Sequence, residues 1–298
     1  MATIFSLTFS IFLAILCATA TALRFVASKR ILGRLSAEDW LAFAALVSCL
    51  THIGFGLTNS IISHDGFYPD GYVRSQKIAY ASTPFYPLNQ FFTKSSILFF
   101  YHRIFSVKKS FARWIYILGI AQAVLTILTI FINLFICHPI NYYWDLWVIG
   151  SCMDQITINR ATESVNSAID FAMVALAFVM VSGIRLALST KLKLLLLFVI
   201  GSLSGLIGFI RIGNGNVVWR AKDSPSFHGA DYSWALGQQA TSIICCCAPM
   251  YKGAFHPYEF CAKLATRARQ YTCWRRKVSP LDEPNDGQVW LALDDFSV

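Results

Sequence analysis

Residues 84–105 read PFYPLNQFFTKSSILFFYHRIF, and the fold of the whole chain turns on whether this run crosses a membrane. Its length suffices, since a helix needs about 20 mostly apolar residues, rising about 1.5 Å each, to cross the hydrocarbon core. The stretches FFT and SSILFF on either side of Lys94 are apolar, whereas Lys94 itself and Pro84 and Pro87 at the entrance argue against a span. Leaving the run out would put the basic loops of the chain on opposite sides of the membrane. Counting it as a span keeps them together.

Six other runs are long and apolar enough, with cores at 3–23, 40–62, 115–136, 164–184, 194–212 and 233–251. The sequence therefore predicts an all-α, seven-transmembrane helical bundle. Composition agrees: 56% of the 298 residues are hydrophobic and 14% charged, against about a quarter charged in a soluble domain. A mean hydropathy of +0.53 excludes an ordinary soluble enzyme, which must cover its outside with polar groups. The net charge of +9 falls in loops between apolar runs rather than in a groove, so nucleic acid is not an expected partner.

The first run could be a secretory signal peptide, because ATATA at 18–22 resembles a cleavage site. Its basic residues, Arg24, Lys29, Arg30 and Arg34, follow the apolar run instead of preceding it, which points to an uncleaved helix with its N-terminus outside. With that start, segments 24–39, 103–114, 185–193 and 252–298 face the cytoplasm and hold 18 of the 25 Lys and Arg. The positive-inside rule then gives a cytoplasmic C-terminus. The multi-pass assignment leaves plasma and internal membranes equally open.

Cys137 and Cys152 bracket the second outer loop, CHPINYYWDLWVIGSC, on the oxidising side of the membrane. A disulfide is expected there, holding Trp144 and Asp145 over the helix ends. The first outer loop, 63–83, reads either as an ordered lid or as a solvated loop. Residues 1–255 form the membrane domain and 256–278 a basic amphipathic helix on the inner leaflet. Cys261 and Cys273 in that helix are either palmitoylated or free thiols. Residues 279–298 form a disordered acidic tail.

Ionisable groups inside spans are costly and therefore mark function. By helix rise, Lys94 lies about 13 Å from Arg103, Asp170 about 22 Å from Arg185 and Arg211 about 27 Å from Lys193. His52 and Gln238 fall at depths comparable to Asp170. Facing inward, these residues would line one polar cavity in which Lys94 and Arg211 bind an acidic or carbonyl group while Asp170 and His52 exchange protons. The structural alternative is a buried Lys94–Asp170 ion pair, an Arg211 that snorkels to the interface and a His52 bonded to a helix carbonyl. No lysine occurs in 233–251 to form a retinal Schiff base. No ligand spacing for a metal is present, and GNGN at 213–216 lacks the helix, Lys and Ser/Thr of a phosphate loop. No cofactor is expected.

KSSILFFYHRIF at 94–105, followed by CHPI, WD and CMD between 137 and 154, resembles the fungal rhodopsin-domain integral membrane proteins. The likeness extends to EDW at 38–40, HIGFG at 52–56, NSAID at 166–170 and the glycine-rich, arginine-terminated stretch 201–211, and covers about 36–255. It implies seven helices with the N-terminus outside and roles for Lys94, Arg103, Cys137, Cys152, Asp170 and Arg211. The chain departs from the family pattern in having no proline in 171–184, and Gln238 stands where a seventh-helix glutamate is usual, leaving Arg211 without an obvious partner. It also lacks the cysteine-rich domain that some receptor-like members carry ahead of the first helix.

The favoured functional expectation is an accessory component of a fungal specialised-metabolite pathway, of the mycotoxin type, that binds or processes a small hydrophobic metabolite. A G-protein-coupled-receptor-like sensor with a cytoplasmic protein partner is an alternative, although the cytoplasmic loops are short. A membrane-bound cyclase-type enzyme, with Asp170 or His52 as acid, is another. The lipid bilayer is a partner in every case.

Overall fold

The computed structural model describes residues 2–33, 35–65, 69–105, 109–145, 147–182, 201, 203–210 and 226–255. The chain divides into two compact units, 1–252 and 253–298. Arg211, the 256–278 segment and the 279–298 tail lie outside the described residues.

The helices are α1 (Ala2–Leu32), α2 (Ala37–Asp65), α3 (Pro69–Ser82), α4 (Phe85–Phe105), α5 (Lys109–Leu134), α6 (Gln155–Ser182), α7 (203–210) and α8 (Ser226–Phe255). Local chemistry sets several of their ends. Gly33, at φ 66°, stops α1 in the left-handed region that glycine enters without steric cost, and its N–H donates back to the Lys29 carbonyl. Ser36 and Asp39 open α2 as a capping pair, with the Asp39 carboxylate accepting the Ser36 N–H at 2.9 Å. Asp154 caps α6 by accepting the Ile156 N–H. Pro84 and Pro87, which weakened the case for the third span, sit at the start of α4, where a missing N–H removes no helical bond.

Two differences from the sequence reading stand out. The segment 63–83 contains the 14-residue helix α3, packed against α2. The first helix does not end at residue 23; it runs to Leu32, so Arg24 is inside it rather than in a loop.

Among the described residues four helical stretches, Leu7–Arg30, Ala37–Ile62, Ser110–Leu134 and Gln155–Val179, are long and apolar enough to cross a membrane. Their outward faces carry exposed Phe12, Ile15, Ile120, Phe131 and Phe178, surface that water would penalise and lipid does not. The protein is thus an all-α, multi-helix membrane protein. Helices α4 and α8 fall short on hydropathy because their polar side chains point inward: Asn89, Gln90, Thr93, Lys94 and Ser96 of α4 and Gln238, Gln239 and Ser242 of α8 are all buried. Mean hydropathy ignores direction.

One apolar core joins α1, α2 and α8 through Cys17, Ala42, Ala45, Cys49, Leu236 and Ile243. Its small residues let the helix backbones approach closely. Leu98, Ile115, Ile169 and Met173 form a second core between α4, α5 and α6. Between α5 and α6 the chain makes a two-stranded ribbon, β1 (Cys137–His138) against β2 (Ser151–Cys152), with Cys137 opposite Cys152 and bonded to it. Trp144 and Tyr143 of the intervening loop lean on Tyr80 of α3, and Lys77 lies over the Trp144 ring. The Tyr80 hydroxyl donates to the Leu134 carbonyl at 2.7 Å. Burial lifts the Tyr143 phenol above its ordinary pKa against a hydrogen bond with Gln155 that lowers it, while Tyr72 and Tyr80 add to the rise. The loop is therefore fastened to α3 as well as to the helix ends.

Candidate functional site

Tyr86, Gln90 and Lys94 recur every four residues on α4, and Glu163, Asn166 and Asp170 recur at three and four on α6. These are the spacings that put side chains on one face of a helix. The two polar faces meet. Lys94 Nζ lies 3.1 Å from Asp170 Oδ1, and also donates to the Asn166 side-chain oxygen at 2.6 Å, the Asn166 carbonyl at 3.0 Å and Gln122 Oε1 of α5 at 3.3 Å. The lysine is 2% and the aspartate 8% exposed, so each charge depends on the other, because an ion left alone at this depth would cost several kcal/mol.

The network continues in both directions. Asp170 Oδ2 accepts from the Ser204 hydroxyl at 3.4 Å, and Ser204 lies 3.0 Å from Ser242 of α8. On the other side Glu163 Oε1 accepts from Gln238 Nε2 at 2.5 Å and from Asn166 Nδ2 at 3.3 Å. The Tyr86 hydroxyl sits 2.8 Å from both Glu163 Oε2 and Gln238 Oε1. Gln238, read from sequence as a lost acid, thus has an acid as its partner on the facing helix. His52 meets Gln239 Oε1 through Nδ1 at 3.0 Å and lies edge-on to Tyr232.

Glycines make this closeness possible. A Cβ at Gly208 would collide with Ser167, Glu163 and Gln238. At Gly205 it would press on the Phe171 ring at 3.1 Å, and at Gly201 on Cys245 Sγ at 3.3 Å. The spacing of Gly201 and Gly205 is the small-xxx-small pattern of close helix contacts in membranes.

Two clefts open beside the network. One, with room for a few water molecules, is lined by Lys94, Tyr101, Asp170, Ser204, Ser242 and Cys245 among others. The second, smaller still, lies between α4, α5 and α6 and includes Gln90, Gln122, Thr129 and Glu163. A cation among acceptors, an acid beside a hydroxyl pair and an adjoining space can bind a polar group and pass it a proton.

A separate charged cluster joins α1, α2 and α4. Arg24 Nε lies 3.0 Å from Asp39 Oδ1, and its Nη2 lies 3.7 Å from Glu38, which in turn lies 3.7 Å from Arg103. Ser28 donates to Asp39 at 2.7 Å, and Arg24 Nη1 donates to the Cys246 carbonyl of α8.

Of the sequence-predicted site residues, Lys94 and Asp170 come together directly and Gln238 joins them through Glu163 and Asn166. Cys137 and Cys152 are disulfide-bonded. Glu163 lies one residue outside the apolar run 164–184 and so reads as a loop residue. Arg24, Glu38 and Asp39 flank the apolar runs 3–23 and 40–62 and so read as loop charges. The spacing 163, 166, 170 was the available signal for Glu163, while nothing local reveals that Arg24 turns inward.

No solved structure matches the chain. It is 36% identical over 243 residues to the wortmanamides biosynthesis cluster protein C of Talaromyces wortmannii, covering 78% of this chain and 65% of that one. It is 37% identical over 168 residues to the satratoxin biosynthesis SC1 cluster protein 4 of Stachybotrys chartarum, covering 56% and 60%. The polyenoic acids biosynthesis gene cluster protein Ba17b of Metarhizium anisopliae is 23% identical over 266 residues, covering 78% and 68%. The chain spans just under two thirds of the length of the first two relatives. Residues 23–256, which carry both charged clusters, the glycines and the disulfide, match the fungal rhodopsin domain, and the chain belongs to that family.

Proposed function

We propose that the protein is an accessory membrane component of a fungal specialised-metabolite pathway and binds or processes a small hydrophobic metabolite at the Lys94–Asp170 cleft. The names of its relatives tie those proteins to biosynthetic clusters. The observation that carries the site is the buried lysine 3.1 Å from a buried aspartate beside a small cleft, because a pair kept only for packing would be cheaper as two apolar residues. In this reading the bundle has seven spans, with the N-terminus outside and a cytoplasmic C-terminus. Arg211 and His52 serve the same cavity in this reading, His52 from the Gln239 side.

Deleting the gene in its host and profiling metabolites tests this. Loss of a pathway product, restored by the wild type but not by Lys94→Met or Asp170→Asn at equal membrane abundance, is the expected outcome. An unchanged profile overturns it and leaves the sensor reading. A cyclase-type enzyme is the second reading, favoured by the hydroxyls of Ser204, Ser242 and Tyr101 around the Asp170 cleft. Conversion of the accumulated intermediate by membranes carrying the protein decides for it, and no conversion decides for the accessory role.

A further inference from the structure

Trp147 is 95% and Ile149 98% exposed, whereas the next most exposed large apolar side chain among the described residues, Ile120 on the outward face of α5, is 64% exposed. Both stand on the returning arm of the disulfide-closed hairpin, and the contacts around them explain why they point away from the protein. Tyr143 and Trp144 take the aromatic contacts with Tyr80 of α3. The Trp147 N–H donates to Asp145 Oδ1 at 3.1 Å and fixes the turn. A Cβ at Gly150 would come within 2.9 Å of the His138 carbonyl, Pro139 and Tyr142, so the two arms lie directly against each other and leave no space between them for Ile149.

The base of the hairpin lies where two membrane-long stretches end, Ser110–Leu134 and Gln155–Val179, and there the Met153 N–H donates to the Ile136 carbonyl at 2.9 Å. Phe135 and Met153 at this base are themselves exposed, and Phe135 stacks on Phe131 of the outward face of α5. Apolar surface thus leads from the lipid-facing helix into the hairpin. At about 3.3 Å per residue Ile149 is at most about 10 Å from Cys152, a reach comparable with the headgroup layer, which is about 5–8 Å deep on each side of the hydrocarbon core. Water penalises bare side chains of this size, and indole, with an apolar body and an N–H, is enriched at headgroup depth. Residues 137–154 hold Asp145 and Asp154 but no Lys or Arg, so attraction to anionic lipid does not contribute.

We propose that the disulfide-closed hairpin is a membrane anchor whose Trp147 and Ile149 insert into the headgroup layer of zwitterionic lipid beside α5 and α6. This goes beyond the function proposed above and needs neither the cleft nor the seven-span count.

The test uses the full chain labelled with fluorotryptophan, one chain per phosphatidylcholine nanodisc, read by fluorine NMR. The resonance missing from Trp147→Phe, or from Trp147→Tyr if the first does not fold, belongs to Trp147. It is expected to lose more intensity to a phosphatidylcholine carrying a nitroxide at the top of its acyl chain than to a gadolinium chelate in the water. Replacing part of the lipid by phosphatidylserine is expected to leave the ratio of the two losses unchanged, and Ile149→Asp to move it toward the chelate. Equal or greater loss to the chelate puts the tip in water, where a protein partner could take it, and overturns the proposal. Loss to neither probe places Trp147 against protein and overturns it as well. A ratio that rises with phosphatidylserine overturns the zwitterionic assignment, and one unmoved by Ile149→Asp overturns the part given to Ile149.

Discussion

Arg24 and Asp39 stand 15 positions apart in the chain and bring Nε within 3.0 Å of Oδ1, with both side chains shut off from the surroundings. Removing the cation leaves Asp39 and Glu38 buried against each other. Arg24→Met is therefore expected to lower stability by about 3–5 kcal/mol, measured as loss of folded protein on heating in nanodiscs. The double variant Arg24→Met/Asp39→Asn is expected to recover part of that loss. Equal melting of wild type and Arg24→Met would refute the role given to this pair.

The Lys94–Asp170 pair admits a sharper experiment than single substitution. Lys94→Met and Asp170→Asn each leave a buried charge alone and should destabilise the protein. Lys94→Met/Asp170→Asn removes both members of the pair, leaving only Glu163 charged in the network, and should melt closer to wild type. If the pair serves the metabolite, the double variant is folded but fails to restore the pathway product; restoration would reduce the pair to a structural one.

Glycine substitutions should rank by what the new methyl meets. Gly208→Ala drives Cβ into Glu163, Ser167 and Gln238 and is expected to cost about 1–3 kcal/mol through overpacking. Gly205→Ala, whose Cβ reaches the Phe171 ring at 3.1 Å, should cost less. Gly237→Ala meets nothing within 4 Å and should be neutral or stabilising by up to about 1 kcal/mol, since alanine is the better helix former. Thermal melting of the three variants checks the order, and a Gly237→Ala that melts below Gly208→Ala contradicts it.

Without reductant, neither Cys137 nor Cys152 should react with a maleimide after denaturation, and both should react once reduced. Cys137→Ser/Cys152→Ser is expected to lose about 3 kcal/mol by the chain-entropy argument for a loop of this length. It should also loosen Tyr143 and Trp144 from Tyr80, visible as faster proteolysis between residues 139 and 150.

Much of this was legible in the sequence because bilayer thickness sets helix length and apolar runs record it. Lys94 and Asp170 were legible for the opposite reason, being charges where none is cheap. Helix α3 was hidden because a short, mostly polar helix that opens on Pro-Asp-Gly reads like a loop until α2 supports it. Glu163 was hidden by a boundary drawn by hydropathy, although its helix starts at Gln155. The Arg24 cluster was hidden because charge at a helix end looks the same whether it faces water or turns inward, and only the partner helix decides.

The inward polarity of α4 also bears on how the protein is made. A lysine at mid-bilayer costs about 2.5–3.5 kcal/mol when its helix partitions alone from the translocon. Asp170 follows Lys94 by 76 residues, which at ribosomal speeds of about 5–20 residues per second is a delay of about 4–15 s. Throughout that interval α4 has no counter-ion. In the proposed seven-span bundle it would be held at the translocon or against α2 until α6 arrives, and integration of the third span would depend on a sequence not yet translated.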